Sequence, residues 1–188
     1  MATLLEDLIT QGVCTPEVAE AVTRQLAQQG GGRLTDALVV SGWAEERAVL
    51  RVLAIRDRTR FVTVEKLRAA KIEPDVLDRV PVRFAEAHSA LPLKVEPSTA
   101  TLLVVAAEPA DPTFRQELQI VAGLTNIVPL VALERAIQAA IRRFYYGDVT
   151  AFENLVREIV PPRVAPPRRD TAEASLSKFF AVPGKPKG

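Results

Sequence analysis

Cysteine and histidine are almost missing from this chain: Cys14 and His88 are the only ones. One cysteine excludes an internal disulfide framework and a multi-thiolate zinc site, and it fits a reducing compartment. Cys14 falls at an apolar helix junction and reads as a small buried hydrophobe. One histidine, in "AEAHSALPL", leaves no choice of base and reads as structural. An apolar run long enough to span a bilayer is also missing; the longest, "TLLVVAA", has the length of a strand. The N-terminus shows no basic stretch, apolar core and cleavage site, so the expectation is a cytoplasmic protein. Charge of one sign is not in excess. Twenty-four Lys and Arg face 23 Asp and Glu, a formal net charge of +1, so no general attraction to nucleic acid or to an anionic membrane is implied. There is no GxxxxGK[ST] phosphate loop, and "GKPKG" has neither the spacing nor a strand before it. The acidic residues are scattered over predicted helix surfaces as solvated charge. No catalytic or metal-binding constellation emerges, and the chain reads as a non-enzyme.

The chain does contain a hydrophobic fraction of 48%, enough for a real core, and a small unit used twice. "TLLEDLITQGV" aligns with "RLTDALVVSGW": Leu4 with Leu34, Glu6 with Asp36, Leu8 with Leu38, Ile9 with Val39 and Gly12 with Gly42. In each copy a short apolar helical stripe ends at a glycine suited to the C′ position. Thr15-Pro16-Glu17 then opens a second helix, carried by Val18, Val22 and Leu26 up to the Gly30–Gly32 run. Residues 45–55 play the same part in the second copy. Two short helix pairs stacked on each other are expected over residues 1–59.

After Arg60 the pattern changes. "FVTV" reads as a strand, and "EPDVLDRV" as a short helix opened by Pro74. "ALPLKV" and "TLLVVAA" read as strands joined by the turn-rich "EPST". "DPTFRQELQIVAG" has Asp111 as cap, Pro112 at N1 and Gly123 at its end. "NIVPLVA" is a further strand, in which Pro129 suits an edge better than a centre. "LERAIQAAIRRFYY" is a strong helix with Leu133, Ile137 and Ile141 on one face. The fold class is therefore α+β: a helical lobe of two repeated helix pairs at 1–59, then a small α/β lobe at 60–147 whose sheet is covered by helices. Residues 148–160 form one more amphipathic helix, with Phe152, Leu155, Val156 and Ile159 in its stripe. That stripe either packs back on the α/β lobe or binds a partner. Residues 161–188 are Pro-rich and polar, and they read as a disordered tail in which Leu176, Phe179 and Phe180 form a small docking island.

The order and spacing of "RLTDALVVSGWAEERAVLRVLAIR", "FVTVEKL", "IEPDVLDRVPVRFAEAHSALPLKV", "LLVVAAEPADPTFRQELQIVAGLTNIVPLVA" and "LERAIQAAIRRFYYGD" resemble the N-terminal MshEN-like domain of type II secretion and type IV pilus assembly ATPases, over roughly residues 3–148. That family's tandem motif runs Arg-Leu-Gly, two apolar positions, a helix-ending Gly and a second helix finishing in Gln, and it can bind cyclic di-GMP. Carried over, the resemblance implies a ligand set of Arg33, Leu34, Leu38, Val39 and Arg56 in the second copy and Leu4, Leu8, Ile9 and Gln25 in the first. Thr35 departs from the Gly, and Arg56 stands where Gln is expected. Thr3 and Leu5 replace the Arg and Gly of the first copy. The apolar scaffold is kept while the polar readers are half lost, so both repeats reduce to packing elements or retain a degenerate site. The family domain normally precedes an ATPase motor, and the chain ends before one begins. It is a free-standing relative or the front piece of something longer. The resemblance implies an adaptor for protein components of a secretion, pilus or motility machine, with membrane contact only through a partner and no cofactor. The alternative is a cyclic di-GMP sensor, and a small enzyme is a distant third.

Overall fold

The computed structural model describes residues 3–159, with side chains through Leu155. The repeat is geometric as well as textual. Helices α1 (Leu4–Thr10), α2 (Pro16–Gln28), α3 (Leu34–Val40) and α4 (Glu46–Arg56) form two pairs. α1 rests on α2 and α4, and α3 on α2 and α4. The first helix of each pair closes in the same way. Gly12 and Gly42 adopt φ of 69° and 71°; the Val13 N–H donates to the Leu8 carbonyl at 2.9 Å and the Trp43 N–H to the Leu38 carbonyl at 3.0 Å. This wrap satisfies a carbonyl that the helix end leaves open, and the left-handed residue it needs is cheapest as glycine. The starts differ. Thr3 and Glu6 make a reciprocal capping box on α1, whereas Arg33 precedes α3 without capping it.

The remaining elements are β1 (Arg60–Phe61), α5 (Val64–Ala69), α6 (Pro74–Leu77), α7 (Val82–Ala87), β2 (Ala90–Glu96), β3 (Thr101–Ala106), α8 (Pro112–Ala122), β4 (Asn126–Val131), α9 (Glu134–Tyr146) and α10 (Ala151–Ile159). The sheet order is β1-β4-β3-β2. β2 and β3 form an antiparallel hairpin, while β4 runs parallel to both β3 and β1. The fold is α+β. One apolar core runs from Leu8 and Leu50 through Leu91, Leu102 and Ile137 to Phe152. α9 lies at its centre, where Ala136, Ala139 and Ala140 let neighbouring elements approach closely. Leu133, Ile137 and Ile141 are buried as their spacing requires.

Two expectations need correction, and one helix was not expected. "FVTV" is not one strand: pairing stops at Phe61, and Thr63 caps α5 by accepting from the Lys66 N–H. A Thr followed by Val-Glu is also a helix start, and here the cap won. Helix α7 follows Pro81 and had no separate place in the sequence reading. Pro129 lies in β4, which is an inner strand by order. It is tolerated because β1 begins only at Arg60, opposite Leu130; beside Pro129 the ladder has not started, and its carbonyl accepts from the Thr59 hydroxyl. The proline is locally at an edge inside the sheet.

Candidate functional site

The two copies of the repeat diverge most where α3 meets the start of α9. In the first copy the acid of the repeat, Glu6, caps its own helix. Its counterpart Asp36 is buried, and its Oδ1 accepts from the Arg135 backbone N–H at 3.2 Å. Leu133, the residue before α9, has no side chain to cap it. Asp36 therefore caps α9 from another element, where a carboxylate also suits the positive end of the helix dipole. Its second oxygen, Oδ2, is buried with no hydrogen-bond partner among the described residues. Burial pushes the Asp36 carboxyl above the ordinary aspartate range; the bond from Arg135 opposes this.

Arg33 lies one turn away. Its Nε donates to Glu134 Oε2 at 2.6 Å and its Nη2 to Glu108 Oε1 at 2.7 Å. The other oxygen of Glu134 accepts from the Ser89 hydroxyl at 2.8 Å, and Gln138 Nε2 donates to the same hydroxyl at 3.0 Å. The N-terminus of α3 is thus tied to α9 and to the loop after β3 by a continuous polar chain. Beside it opens a groove of about 900 Å³, walled by Gln25, Arg33 and Asp36 on one side and by Gln138, Arg142 and Asn154 on the other.

Of the ligand positions carried over from the tandem motif, the structure brings Gln25 and Arg33 to this groove. Leu8, Leu38 and Val39 are buried in the core, and Leu4, Ile9 and Leu34 pack against it half-buried. Arg56 lies elsewhere, with its Nη1 on Asp7 Oδ2 at 2.9 Å, where it joins α4 to α1. Phe152 and Leu155, expected as candidates for a partner, are buried at 1% and 4% exposure on a helix that packs against α9 and α3. They are core residues, because α9 presents the apolar surface they need. The side chains of Val156 and Ile159, and all of Leu176, Phe179 and Phe180, lie outside the described residues.

Nothing in the sequence marks Asp36, Glu108, Ser89, Glu134 and Gln138 as members of one site, which only the fold assembles. Only the mismatch between Thr3 and Arg33 as helix caps hinted that Asp36 had another task. Burial raises the Cys14 thiol above its usual value, which suits a packing residue and not a nucleophile. His88 is flanked by Phe84 and Phe114, with ring centroids 4.3 and 5.6 Å away, and its Nε2 is 3.0 Å from Glu117 Oε2. Among the described residues no group of three or more His, Cys, Asp or Glu is placed to hold a metal. No described helix is long and apolar enough to cross a membrane.

The MshEN domain model matches residues 54–151. The chain is 30% identical over 132 residues to the type IV pilus assembly ATPase PilB of Myxococcus xanthus strain DK1622. That match covers 70% of this chain and 22% of the relative, so the chain spans about a fifth of the ATPase it resembles. In fold it is similar to the structure of MshE with cdg, at a TM-score of 0.57 and 21% identity over 77% of this chain and all of that one. It is also similar to the N-terminal domain of XpsE, at 0.52 and 20% identity over 74% and 92% of the two chains.

Proposed function

Because the chain belongs to the MshEN domain family, we propose that it is a non-enzymatic docking module for a type II secretion, type IV pilus or related motility machine, acting in the cytoplasm. The observation that carries this reading is the state of Arg33. The one arginine kept from the family's tandem motif is held by Glu134 and Glu108, and the apolar motif positions Leu8, Leu38 and Val39 are buried. The repeat serves as a rigid support joined to α9 and to the loop after β3. Its outer surfaces remain for protein contacts, and any membrane contact comes through the partner.

The test is isothermal titration of the whole chain against purified cytoplasmic domains of the secretion and pilus machine of the same cell, with cyclic di-GMP as a separate titrant. Saturable binding to one such domain, without heat from cyclic di-GMP at high micromolar concentration, supports the docking reading. The reverse result supports a second reading, a cyclic di-GMP sensor. One observation favours that alternative: Asp36 lines the polar groove that Gln25 and Arg33 share, and its Oδ2, buried just behind that wall, has no hydrogen-bond partner among the described residues. A guanine edge carries N–H donors that such an oxygen accepts once the Asp36 side chain turns toward the groove. The solved structure of MshE with cdg supports testing it.

A further inference from the structure

The end of α4 and the start of β1 carry a concentration of cations away from the groove between α3 and α9. Two adjoining clefts of about 380 and 440 Å³ share Arg58, Thr59 and Arg60. Arg115 of α8 lines the first, and Arg51 and Lys66 line the second. All five cations are exposed, and none has an ion-pair partner among the described residues. Asp57 is the one carboxylate on either wall. Apolar surface lies between the charges: Ile55 is 63% exposed on α4, and Phe61 is half-buried on β1.

Two further features mark the place. Arg58 adopts φ of 50°. It is the C′ residue of α4, where the Thr59 N–H donates to the Ala54 carbonyl at 2.9 Å. Gly12 and Gly42 fill this position in α1 and α3, and a long side chain there is conformationally unfavourable. The local rule is broken at a residue that lines both clefts, as happens where a surface is kept for function. Second, β1 is the outer strand of the sheet on this side. The Val62 N–H donates inward to the Val131 carbonyl, so by strand alternation the N–H and C=O of Phe61 point away from β4. An extended chain can pair there while its side chains meet the arginines.

We propose that these joined clefts bind an extended acidic segment of a partner protein. This rests on the docking reading above and supplies its surface. Charge complementarity selects the occupant: five cations against one carboxylate call for acid. Asp57 within the cleft and a net charge of only +1 for the chain disfavour a phosphate backbone or a lipid surface, which respond to a broad positive field. Isolated apolar contacts at Ile55 and Phe61 suit alternating side chains of a peptide, and the walls offer no run of aromatic rings for stacking bases.

The probe is a fluorescein-labelled dodecapeptide in which Glu alternates with Ser and Val, titrated into the full chain at low and moderate salt. Its Gln-for-Glu counterpart is the control. The acidic peptide should bind and the Gln peptide should not, and R58E/R60E/R115E should weaken binding at least about tenfold. Because a triple charge reversal can disturb folding, Arg58→Gly is the second variant. It should keep or raise the melting temperature and still weaken the peptide. Equal binding of the Gln peptide, or no loss in either variant, overturns the proposal. So does displacement of the peptide by phosphatidylserine vesicles or single-stranded oligonucleotide that use the same arginines more tightly. A machine domain that binds wild type and the triple variant equally removes the cleft and leaves the docking reading standing. Peptide binding without any machine domain does the opposite.

Discussion

At the scale of single residues, the instructive positions are those that break a local rule. Arg58 occupies a left-handed position that glycine fills at less cost. Arg58→Gly removes that strain but loosens the unfolded chain, and the two effects oppose each other at about 1 kcal/mol each. The expected net is between neutral and a gain of about 1 kcal/mol, read from denaturant midpoints at constant slope. A clear loss would show that the Arg58 side chain supports the fold. Asp36 is the second such residue. Burial raises its folded value above the unfolded 3.8, against help from the Arg135 N–H and with Glu134 and Arg33 adding opposite charges nearby. For a raised acid the folded state binds more protons between the two values. Its contribution therefore grows as pH falls through the folded value, is complete near the unfolded one and is absent at neutral pH. The stability of wild type relative to Asp36→Asn should rise from pH 7 toward pH 4. Parallel curves would mean that Asp36 titrates alike folded and unfolded.

At the scale of elements, helix ends govern how the pieces join. The Gly30–Gly32 run links the two copies with φ of 81°, 128° and 131°. At Gly32 an added Cβ would also stand 3.0 Å from Leu26 Cδ2. Gly32→Ala should cost about 1–3 kcal/mol, measurable by urea titration. A change under a few tenths would show that the linker relaxes freely. α10 tests the opposite kind of element, one held by packing. Phe152 is almost fully buried where α10 meets α9 and α3, and the Arg143 guanidinium lies 5.8 Å from its ring centroid. Phe152→Ala should cost about 3–5 kcal/mol. A small effect would return α10 to the role of a detachable docking helix.

At the scale of the whole molecule, the Arg33 and Asp36 contacts join the helical repeat to α9 and to the loop after β3. Arg33→Ala removes two charge-assisted bonds and leaves Glu134, itself held by Ser89, without its cation. The expected loss is about 1–3 kcal/mol. Amide exchange should quicken at the starts of α3 and α9 before it quickens in α1 or β3. Uniform quickening would place the contact in the general core and not at a joint. The same joint explains why the site was only half legible. Gln25 and Arg33 are implied as site residues only by the resemblance to the family's tandem motif, and Arg33 acquires its meaning from carboxylates 75 and 101 positions away. No periodicity in the chain points to Glu108 or Glu134.

What the sequence determined by itself follows from local physics. Thr15 and Asp111 start helices, Gly12, Gly42 and Gly123 end them, and apolar spacing predicts which faces enter the core. Each depends on neighbours within a turn or two of chain. The tertiary structure decided the rest. It split "FVTV" between a two-residue strand and a cap, placed Pro129 beside a strand that had not yet begun, and covered Phe152 and Leu155 with α9. It also turned Asp36 from its own helix to the start of another, 99 positions away. These outcomes depend on which distant backbone donor, strand or apolar face arrives at a given point, and chain connectivity brings such groups together only once the core has formed.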